Sequence, residues 1–435
     1  MALIWNPEAE TRPRAEREAL QAARLRETVT WARERVAFYR ERLGDVEVRS
    51  LADLPALPFT RKTDLREHYP FGLLAVPLSE TARLHASSGT KGKPTVVGYT
   101  AGDLDVWREV MARAMVAAGS RRGDLLQIAF GYGLFTGGLG FHDGAERIGM
   151  TVVPASSGNT ARQGLLLRDF RPAGLAATPS FALHIGEMLL EEGARPDALG
   201  LRYGMFGAEP WSDEMRRSLE RAFGCPAFDI YGLSEIIGPG VAGECEVRDG
   251  LHVADDHFLP EIVDPETGAV RPAGVQGELV LSTLTKRALP MVRYRTGDVT
   301  MLTTEPCRCG RTTARIGRLK GRSDDMLVIK GVNVYPSEIE TALLGVADLV
   351  PQYQLIVDRR ATLARLEVQV EPSAELVERS GGLQPAHPAV MALRQDVAAR
   401  LRSALGLGVE VTLMPPRTLP RSEGKAVRVI ERRET

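Results

Sequence analysis

Between residues 125 and 223, short apolar runs alternate with helix-length segments, and this alternation constrains the fold more than any other feature. LLQIAF (125–130), TVVPA (151–155), GLAATP (174–179) and YGMFGA (203–208) have the length and apolar content of buried strands. Residues 106–118, 163–170, 181–192 and 212–223 have the length and periodicity of helices around them. Strands and helices in that order build βαβ units and a mostly parallel sheet, so an α/β fold is expected.

The flanking regions follow other patterns. Leu25, Val29, Ala32, Val36, Tyr39 and Leu43 recur every three or four residues and form one apolar helical stripe that Gly44 would stop. From 250 to 302, strand-like runs such as GELVLSTL (277–284) are separated by the turn signals DPETG (264–268) and PAG (272–274), which reads as a β-rich subdomain. In the last stretch, MLVIKGVNVYP (326–336), YQLIV, LEVQV and VEVTLM read as strands, with a helix near 388–405. Ser337 and Glu340 have the spacing of a capping box opening a helix over 337–344. The polar turn GRSDD (321–325) marks a boundary, giving a large N-terminal domain over 1–323 and a small α+β domain over 324–435.

Composition excludes several classes of function. The 435 residues are 44% hydrophobic, enough for sizeable cores. Lys and Arg number 55 against 56 Asp and Glu, a net charge of −1, which argues against a general grip on nucleic acid or anionic membrane. No apolar run approaches the roughly 18 residues of a membrane span, and residues 1–10 lack the pattern of a secretory signal. Four cysteines do not make a disulfide scaffold. A soluble cytoplasmic protein is expected, with a homodimer left open as its assembly. Only seven of the basic residues are lysine: Lys62, Lys91, Lys93, Lys286, Lys320, Lys330 and Lys425. Arginine replaces lysine freely on a solvated surface but not where a compact ammonium must reach a phosphate, so these seven merit inspection.

Four segments carry residue types suited to nucleotide chemistry. The loop Ser87-Ser88-Gly89-Thr90-Lys91-Gly92-Lys93-Pro94 offers backbone amides, hydroxyls and ammonium groups to oxyanions, although its glycine spacing is not that of a Walker A loop. In DIYGLSE (229–235), Tyr231 could cover a base and Glu235 could hold Mg²⁺. In YRTGD (294–298), Asp298 suits sugar hydroxyls. In RSEGK (421–425), Lys425 sits on a glycine-containing loop before the strand-like run AVRVI. Each segment taken alone is equally compatible with an ordinary solvated turn.

Taken in order, these segments resemble the AMP-forming acyl- and aryl-coenzyme A ligases of the adenylate-forming superfamily, the phenylacetate–coenzyme A ligases in particular. The resembling stretches include FTRKTDLREHYPFG (59–72), SSGTKGKPTVVGYT (87–100), GYGLFTGGLG (131–140), FGAEPW (206–211), DIYGLSEIIGPGVA (229–242), GELVLSTLTKRALPMVRYRTGD (277–298), GRSDDMLVIKGVNVYP (321–336) and RSEGKAVRV (421–429). The resemblance implies ATP-dependent ligation of phenylacetate or a close aryl acid to coenzyme A through an acyl-AMP intermediate, with Mg²⁺, and a mobile C-terminal domain. It places Ser87, Ser88, Gly89, Thr90, Gly92 and Lys93 on the phosphates. Ala208, Glu209, Pro210, Asp229, Tyr231 and Gly232 fall around the adenosine, Asp298 and Arg322 on the ribose, and Glu235 on Mg²⁺. Lys425 would serve adenylation, Asp324 would be the hinge, and Gly331 and Val332 would meet coenzyme A. Phe130, Phe135, Phe141 and Ile236 would line the aryl pocket, with Phe141 narrowing it. Two other readings stay open: an adenylating enzyme that hands its acyl group to another acceptor, such as a carrier protein or a cofactor, and a non-catalytic nucleotide-sensing protein.

The cysteines carry a separate expectation. Cys307 and Cys309 lie two apart on a turn, and Cys245 and His252 could complete a tetrahedron around a structural Zn²⁺, with His257 as the alternative fourth ligand and ordinary reduced thiols as the alternative state. Four filled positions leave no site for catalysis. Cys225 reads as a core thiol.

Overall fold

The computed structural model describes residues 3–87, 94–322, 327–329, 332–344, 346–358, 365–421 and 428–432. After a short helix α1 (Pro7–Glu10), the helices are α2 (Arg14–Arg35), α3 (Ala37–Leu43), α4 (Lys62–Glu67), α5 (Ala101–Ala117), α6 (Gly137–Ile148), α7 (Thr160–Phe170), α8 (Pro179–Glu191), α9 (Asp213–Phe223), α10 (Pro336–Leu344), α11 (Ala374–Arg379) and α12 (Pro388–Leu405). Strands β1 (Arg83–Ala86) and β2 (Val96–Tyr99) form an antiparallel pair. Then follow β3 (Leu125–Ile128), β4 (Thr151–Val153), β5 (Gly174–Ala177), β6 (Tyr203–Gly207), β7 (Ala227–Leu233), β8 (Gly238–Glu244) and β9 (Leu251–Val253). Next come β10 (Phe258–Val263), β11 (Gly277–Thr283), β12 (Tyr294–Thr300), β13 (Leu302–Thr303), β14 (Arg315–Ile316) and β15 (Gly321–Arg322). The last are β16 (Leu327–Ile329), β17 (Val332–Val334), β18 (Leu349–Asp358), β19 (Arg365–Pro372), β20 (Glu410–Leu413) and β21 (Val429–Arg432).

The expected α/β architecture is present. A nine-stranded sheet runs in the order β13-β14-β9-β8-β7-β6-β5-β3-β4. Strands β4, β3, β5, β6 and β7 are parallel, and the antiparallel β8, β9, β14 and β13 extend that half. Helices cover both faces of the parallel half. Ala176 and Met205 pack into the core with α5 and α6, while their neighbours Leu175, Ala177 and Phe206 pack into the core with α7, α8 and α9. A strand buried on both faces needs apolar side chains at every position, which is why these strands read as unbroken apolar runs.

The β-rich stretch forms a second, four-stranded antiparallel sheet, β10-β11-β12-β15. Beyond it, β16 and β17 pair antiparallel, and a sheet in the order β20-β19-β18-β21 carries its own core with α10 and α12. Among the described residues, no helix is long and apolar enough to cross a membrane.

Two local expectations are corrected, and one helix forms where none was expected. The N-terminal stripe is two helices, because Val36 is extended at φ −118°, ψ 118°; all six stripe residues are nevertheless buried, and Gly44 follows α3 at φ 48°. Residues 137–148, with four glycines, form helix α6, which helix propensity disfavours. Packing demands the small residues: a Cβ on Gly140 would lie 2.6 Å from Pro239, and one on Gly144 would lie 2.6 Å from Met111. Ser337 is not a helix cap. Helix α10 starts at Pro336, the Ser337 hydroxyl donates to the Lys320 carbonyl, and Glu338 accepts from the Tyr335 N–H at 3.2 Å. Glu340 is buried and accepts from the Tyr353 hydroxyl at 2.9 Å.

Candidate functional site

The carboxyl ends of β5, β6 and β7 open on one side of the large sheet, where crevices of parallel α/β sheets bind ligands. Strand β6 runs into Gly207-Ala208-Glu209-Pro210. A Cβ on Gly207 would lie 2.2 Å from the Ile230 carbonyl oxygen, so only glycine fits beside β7. Ala208 has φ 71°, a left-handed conformation that costs a non-glycine residue ~1–2 kcal/mol and concentrates at functional sites. Glu209 accepts from the Ser180 N–H at 2.7 Å, which fixes this loop to the first turn of α8.

On β7, the Asp229 N–H donates to Glu244 at 2.8 Å, and its carboxylate lies 3.5 Å from Arg318 Nε. Burial pushes the Asp229 carboxyl up, the Glu244 charge adds to the effect, and Arg318 opposes it. Arg318 also stacks on the Trp211 ring at 4.6 Å, donates to the Trp211 carbonyl at 2.6 Å and pairs with Asp213.

Two residues on from Asp229, the Tyr231 hydroxyl donates to Asp298 Oδ2 at 2.6 Å, and Arg322 Nη1 lies 3.3 Å from Asp298 Oδ1. The β12–β15 register places Asp298 opposite Arg322. The Asp298 N–H donates to the Thr296 hydroxyl, holding the carboxylate in place. An ionised carboxylate has about four acceptor positions, which suits it to hydroxyl groups.

The turn after β7 is set by backbone sterics. A Cβ on Gly232 would lie 1.8 Å from the Gly238 carbonyl oxygen, and the Ile236 and Ile237 N–H groups both donate to the Leu233 carbonyl at 3.1 Å. This turn carries Glu235, which is 5% exposed and 3.4 Å from Lys62 Nζ on α4. Lys286 Nζ donates to the Glu235 carbonyl at 3.3 Å and lies 4.5 Å from the centre of the Tyr99 ring. Burial pulls the Lys286 ammonium down to about 8, opposed by Asp103 and Glu235.

Aromatic residues stand beside this turn at the start of α6. Phe130 stacks on Phe141 with ring centres 5.3 Å apart, and Phe141 is only 1% exposed. Phe135 is exposed, and a Cβ on Gly137 would lie 2.6 Å from Phe135 and 3.2 Å from Phe130. The Thr136 and Ser234 hydroxyls are 3.2 Å apart, which joins the aromatic segment to the Glu235 turn, and Ile236 is fully buried next to Glu235.

A separate centre lies at the antiparallel end of the large sheet. One ligand atom each from Cys245, His252, Cys307 and Cys309 falls within 4.8 Å of all the others. Cys245 and Cys307 sulfurs are 3.9 Å apart, and Cys309 Sγ is 3.5 Å from His252 Nε2. A tetrahedral Zn²⁺ with usual bond lengths needs edges of about 3.8 Å between sulfurs and 3.6 Å between sulfur and nitrogen, so the donor set fits. His252 Nδ1 meets the Thr313 hydroxyl at 3.0 Å, aiming Nε2 at the sulfurs. The hydrogen bond from Cys245 holds the Cys309 thiol well below its ordinary range against burial, helped by His252 and Arg311, and the same bond with burial pushes Cys245 up. His257 is elsewhere, bonded to Thr285 at 2.8 Å and near Asp256 at 3.3 Å. Cys225 lies in the core beneath α8 and α9, and burial pushes its thiol up to about 12.

The structure places Ala208, Glu209 and Pro210 just after β6, Asp229, Tyr231 and Gly232 on β7, Glu235 in the turn that follows, and Asp298 and Arg322 on the paired β12 and β15, with Tyr231, Asp298 and Arg322 joined by hydrogen bonds. Ser87 closes the β1–β2 pair, with its N–H donating to the Thr95 carbonyl at 3.0 Å. Val332 opens β17. Ser88, Gly89, Thr90, Gly92, Lys93, Asp324, Gly331 and Lys425 lie outside the described residues. Sequence reasoning missed Arg318, Trp211 and Tyr99 altogether. It marked Lys62 and Lys286 by the scarcity of lysine and by their place in two of the resembling stretches, without giving either a role.

Two family models match the chain: "AMP-binding enzyme" over residues 24–285 and "AMP-binding enzyme C-terminal domain" over residues 331–433. A phenylacetate–coenzyme A ligase of Thermus thermophilus is 51% identical, covering 99% of this chain and 100% of that protein. A 2-hydroxyisobutyryl-CoA ligase solved in the postadenylation state with 2-HIB-AMP superposes with a TM-score of 0.92 at 32% identity, covering 99% of this chain and 93% of that one. The same ligase with 2-HIB-AMP and CoA in the thioesterification state gives 0.73, covering 100% and 93%.

Proposed function

This chain belongs to the AMP-binding enzyme family, and from that premise we infer that it joins phenylacetate or a close aryl acid to coenzyme A at the expense of ATP. The substrate carboxylate attacks the α-phosphorus, giving enzyme-bound acyl-AMP and pyrophosphate. The thiol of coenzyme A then attacks the acyl carbonyl, forming the thioester and releasing AMP. The observation that carries this reading is full-length similarity to phenylacetate–coenzyme A ligases.

Each residue role below is part of this reading. Pyrophosphate in the first step and AMP in the second are already good leaving groups, so the protein's work is positioning and charge neutralisation rather than nucleophilic catalysis. Asp298 accepts the ribose hydroxyls, with Arg322 and Tyr231 holding its carboxylate. The strained Ala208 loop and Asp229 border the adenine, and the glycine- and lysine-bearing loop 87–94 surrounds the phosphates. Glu235 holds Mg²⁺, which would neutralise phosphate charge, and Lys62 keeps the Glu235 carboxylate compensated until then. Phe130 and Phe135 flank the aryl ring, and Phe141 supports Phe130 from the core. Lys425 neutralises charge developing at the α-phosphate, and Asp324 is the hinge that later withdraws it and brings Gly331 and Val332 towards coenzyme A. Cys245, His252, Cys307 and Cys309 hold a structural Zn²⁺ that crosslinks the β9, β8 and 307–311 segments. Cytoplasmic placement, where ATP and coenzyme A are supplied, belongs to the same reading.

Pyrophosphate release over a panel of carboxylic acids, with product masses taken with and without coenzyme A, tests it. Phenylacetyl-coenzyme A as the dominant product is expected; acyl-AMP that coenzyme A does not consume would point to another acceptor and overturn it. Lys425→Ala should slow adenylation by roughly 10²–10³ while largely sparing thioester formation from pre-made acyl-AMP. Equal loss of both half-reactions would remove Lys425 from the adenylation step.

A further inference from the structure

Lys286 is 2% exposed, yet among the described residues no carboxylate pairs with it. A buried ammonium without an ion pair costs folding free energy, so its retention calls for another account. Two contacts tie it to one turn. Nζ donates to the Glu235 carbonyl at 3.3 Å and sits over the Tyr99 ring at 4.5 Å. The Tyr99 hydroxyl donates to the Ile237 carbonyl at 2.9 Å and approaches the Ser234 carbonyl at 3.3 Å. Tyr99 stacks on Trp107 at 5.2 Å, and Trp107 Nε1 donates to the Pro239 carbonyl at 2.9 Å. The carbonyls of Ser234, Glu235, Ile237 and Pro239 are thus held by one buried cation–aromatic stack. The loop bearing Lys286 is itself fixed, since the Arg287 and Ala288 N–H groups donate to the Asp103 carboxylate at 2.6 and 2.9 Å. With its backbone held from this side, Glu235 is left to direct its carboxylate to Lys62.

We propose that Lys286, seated on Tyr99, is a positioning residue that fixes the Glu235 turn so that the Glu235 carboxylate meets the nucleotide's divalent cation. The proposal rests on the reading of Glu235 as the Mg²⁺ ligand. Outer contacts of this kind typically change metal affinity or activity by about 10–100-fold when removed. Methionine matches the lysine stem without its charge, and replacing a buried charge by an apolar group of similar volume is often neutral for stability.

The test measures Mg²⁺ half-saturation of pyrophosphate release, together with KM for the aryl acid at saturating Mg²⁺ and ATP. It compares wild type, Lys286→Met, Tyr99→Phe and Glu235→Gln. Lys286→Met should keep its melting temperature and its KM for the acid while Mg²⁺ half-saturation rises about tenfold. Tyr99→Phe retains the ring and loses only the hydroxyl, and should raise it by a smaller factor, on the order of threefold. If Lys286→Met does not fold, Tyr99→Phe decides: an unchanged Mg²⁺ requirement overturns the proposal. Unchanged Mg²⁺ dependence in a folded Lys286→Met, or equal loss of every kinetic parameter, overturns it as well. Should Glu235→Gln leave Mg²⁺ dependence intact, the assignment of Glu235 fails; a shift in Glu235→Gln without one in Lys286→Met defeats the role of Lys286 alone.

Discussion

Single residues decide how closely groups approach in this crevice, and Gly137 is a clear case. Its missing Cβ leaves room for Phe135 and Phe130, which lie 2.6 and 3.2 Å from where that carbon would be. Gly137→Ala must therefore displace the Phe135 ring, the more exposed of the two. Overpacking commonly costs ~1–3 kcal/mol, which would raise KM for phenylacetate by roughly ten- to hundredfold if Phe135 flanks the ring. The KM for ATP should barely move, because the contacts around Asp298 and Arg322 are untouched. Phe141→Ala belongs to the core instead. A fully buried Phe stacked on Phe130 should cost about 3–5 kcal/mol of stability when truncated. A denaturant titration showing no loss for Phe141→Ala would mean the ring is not the support for Phe130 described above.

At the level of elements, the parallel half of the molecule was legible because its strands are covered on both faces and its helices are long enough to show a period. LLQIAF and YGMFGA announced β3 and β6 without ambiguity. Helix α6 was not legible, since Gly137, Gly138, Gly140 and Gly144 argue locally for a loop, and two of them, Gly140 and Gly144, are selected by contacts with Trp107, Pro239 and Met111 from distant segments. The same holds for the site: Tyr231, Glu235 and Asp298 stood out as motif residues, whereas Arg318 reaches Asp229 from 89 positions away and no local pattern betrays it. The cysteine centre lies between these cases: the Cys307–Cys309 spacing is visible in the sequence, whereas the grouping of His252 rather than His257 with the sulfurs depends on how the distant strands pair. If this centre holds Zn²⁺, it crosslinks the three-residue β9, the end of β8 and the 307–309 turn at the sheet's end. Purified protein should then contain about one zinc per chain. Cys307→Ser with Cys309→Ser should lower the melting temperature and abolish zinc content, while specific activity at a temperature where both proteins are folded stays near that of the wild type. Metal-free protein of unchanged stability would remove the zinc reading.

For the whole molecule, the arrangement of the parts carries mechanistic information. The chain superposes far better on a relative in its postadenylation state than on the same relative in its thioesterification state, at the same sequence identity. The difference is therefore one of conformation between the two states rather than of sequence. Among the described residues, Arg417 of the C-terminal part pairs with Glu191 of α8 at 2.8 Å, and the Ser337 hydroxyl bonds the Lys320 carbonyl. The Arg417–Glu191 pair is largely exposed, and such pairs contribute only about 0–1 kcal/mol, weak enough to be broken during a turnover. Strand β15 pairs with β12 of the second sheet and β16 pairs with β17, and the proposed hinge residue Asp324 falls in sequence between β15 and β16. Asp324→Pro would restrict φ at that residue to about −65°. If Asp324 is the pivot, the variant should perform one half-reaction at close to the wild-type rate and lose the other by at least about tenfold. Pyrophosphate exchange reads adenylation, and thioester formation from pre-made phenylacetyl-AMP reads the second step. Loss of both would indicate a folding defect, which the melting temperature would reveal. Full turnover at the wild-type rate would place the pivot elsewhere in the connection.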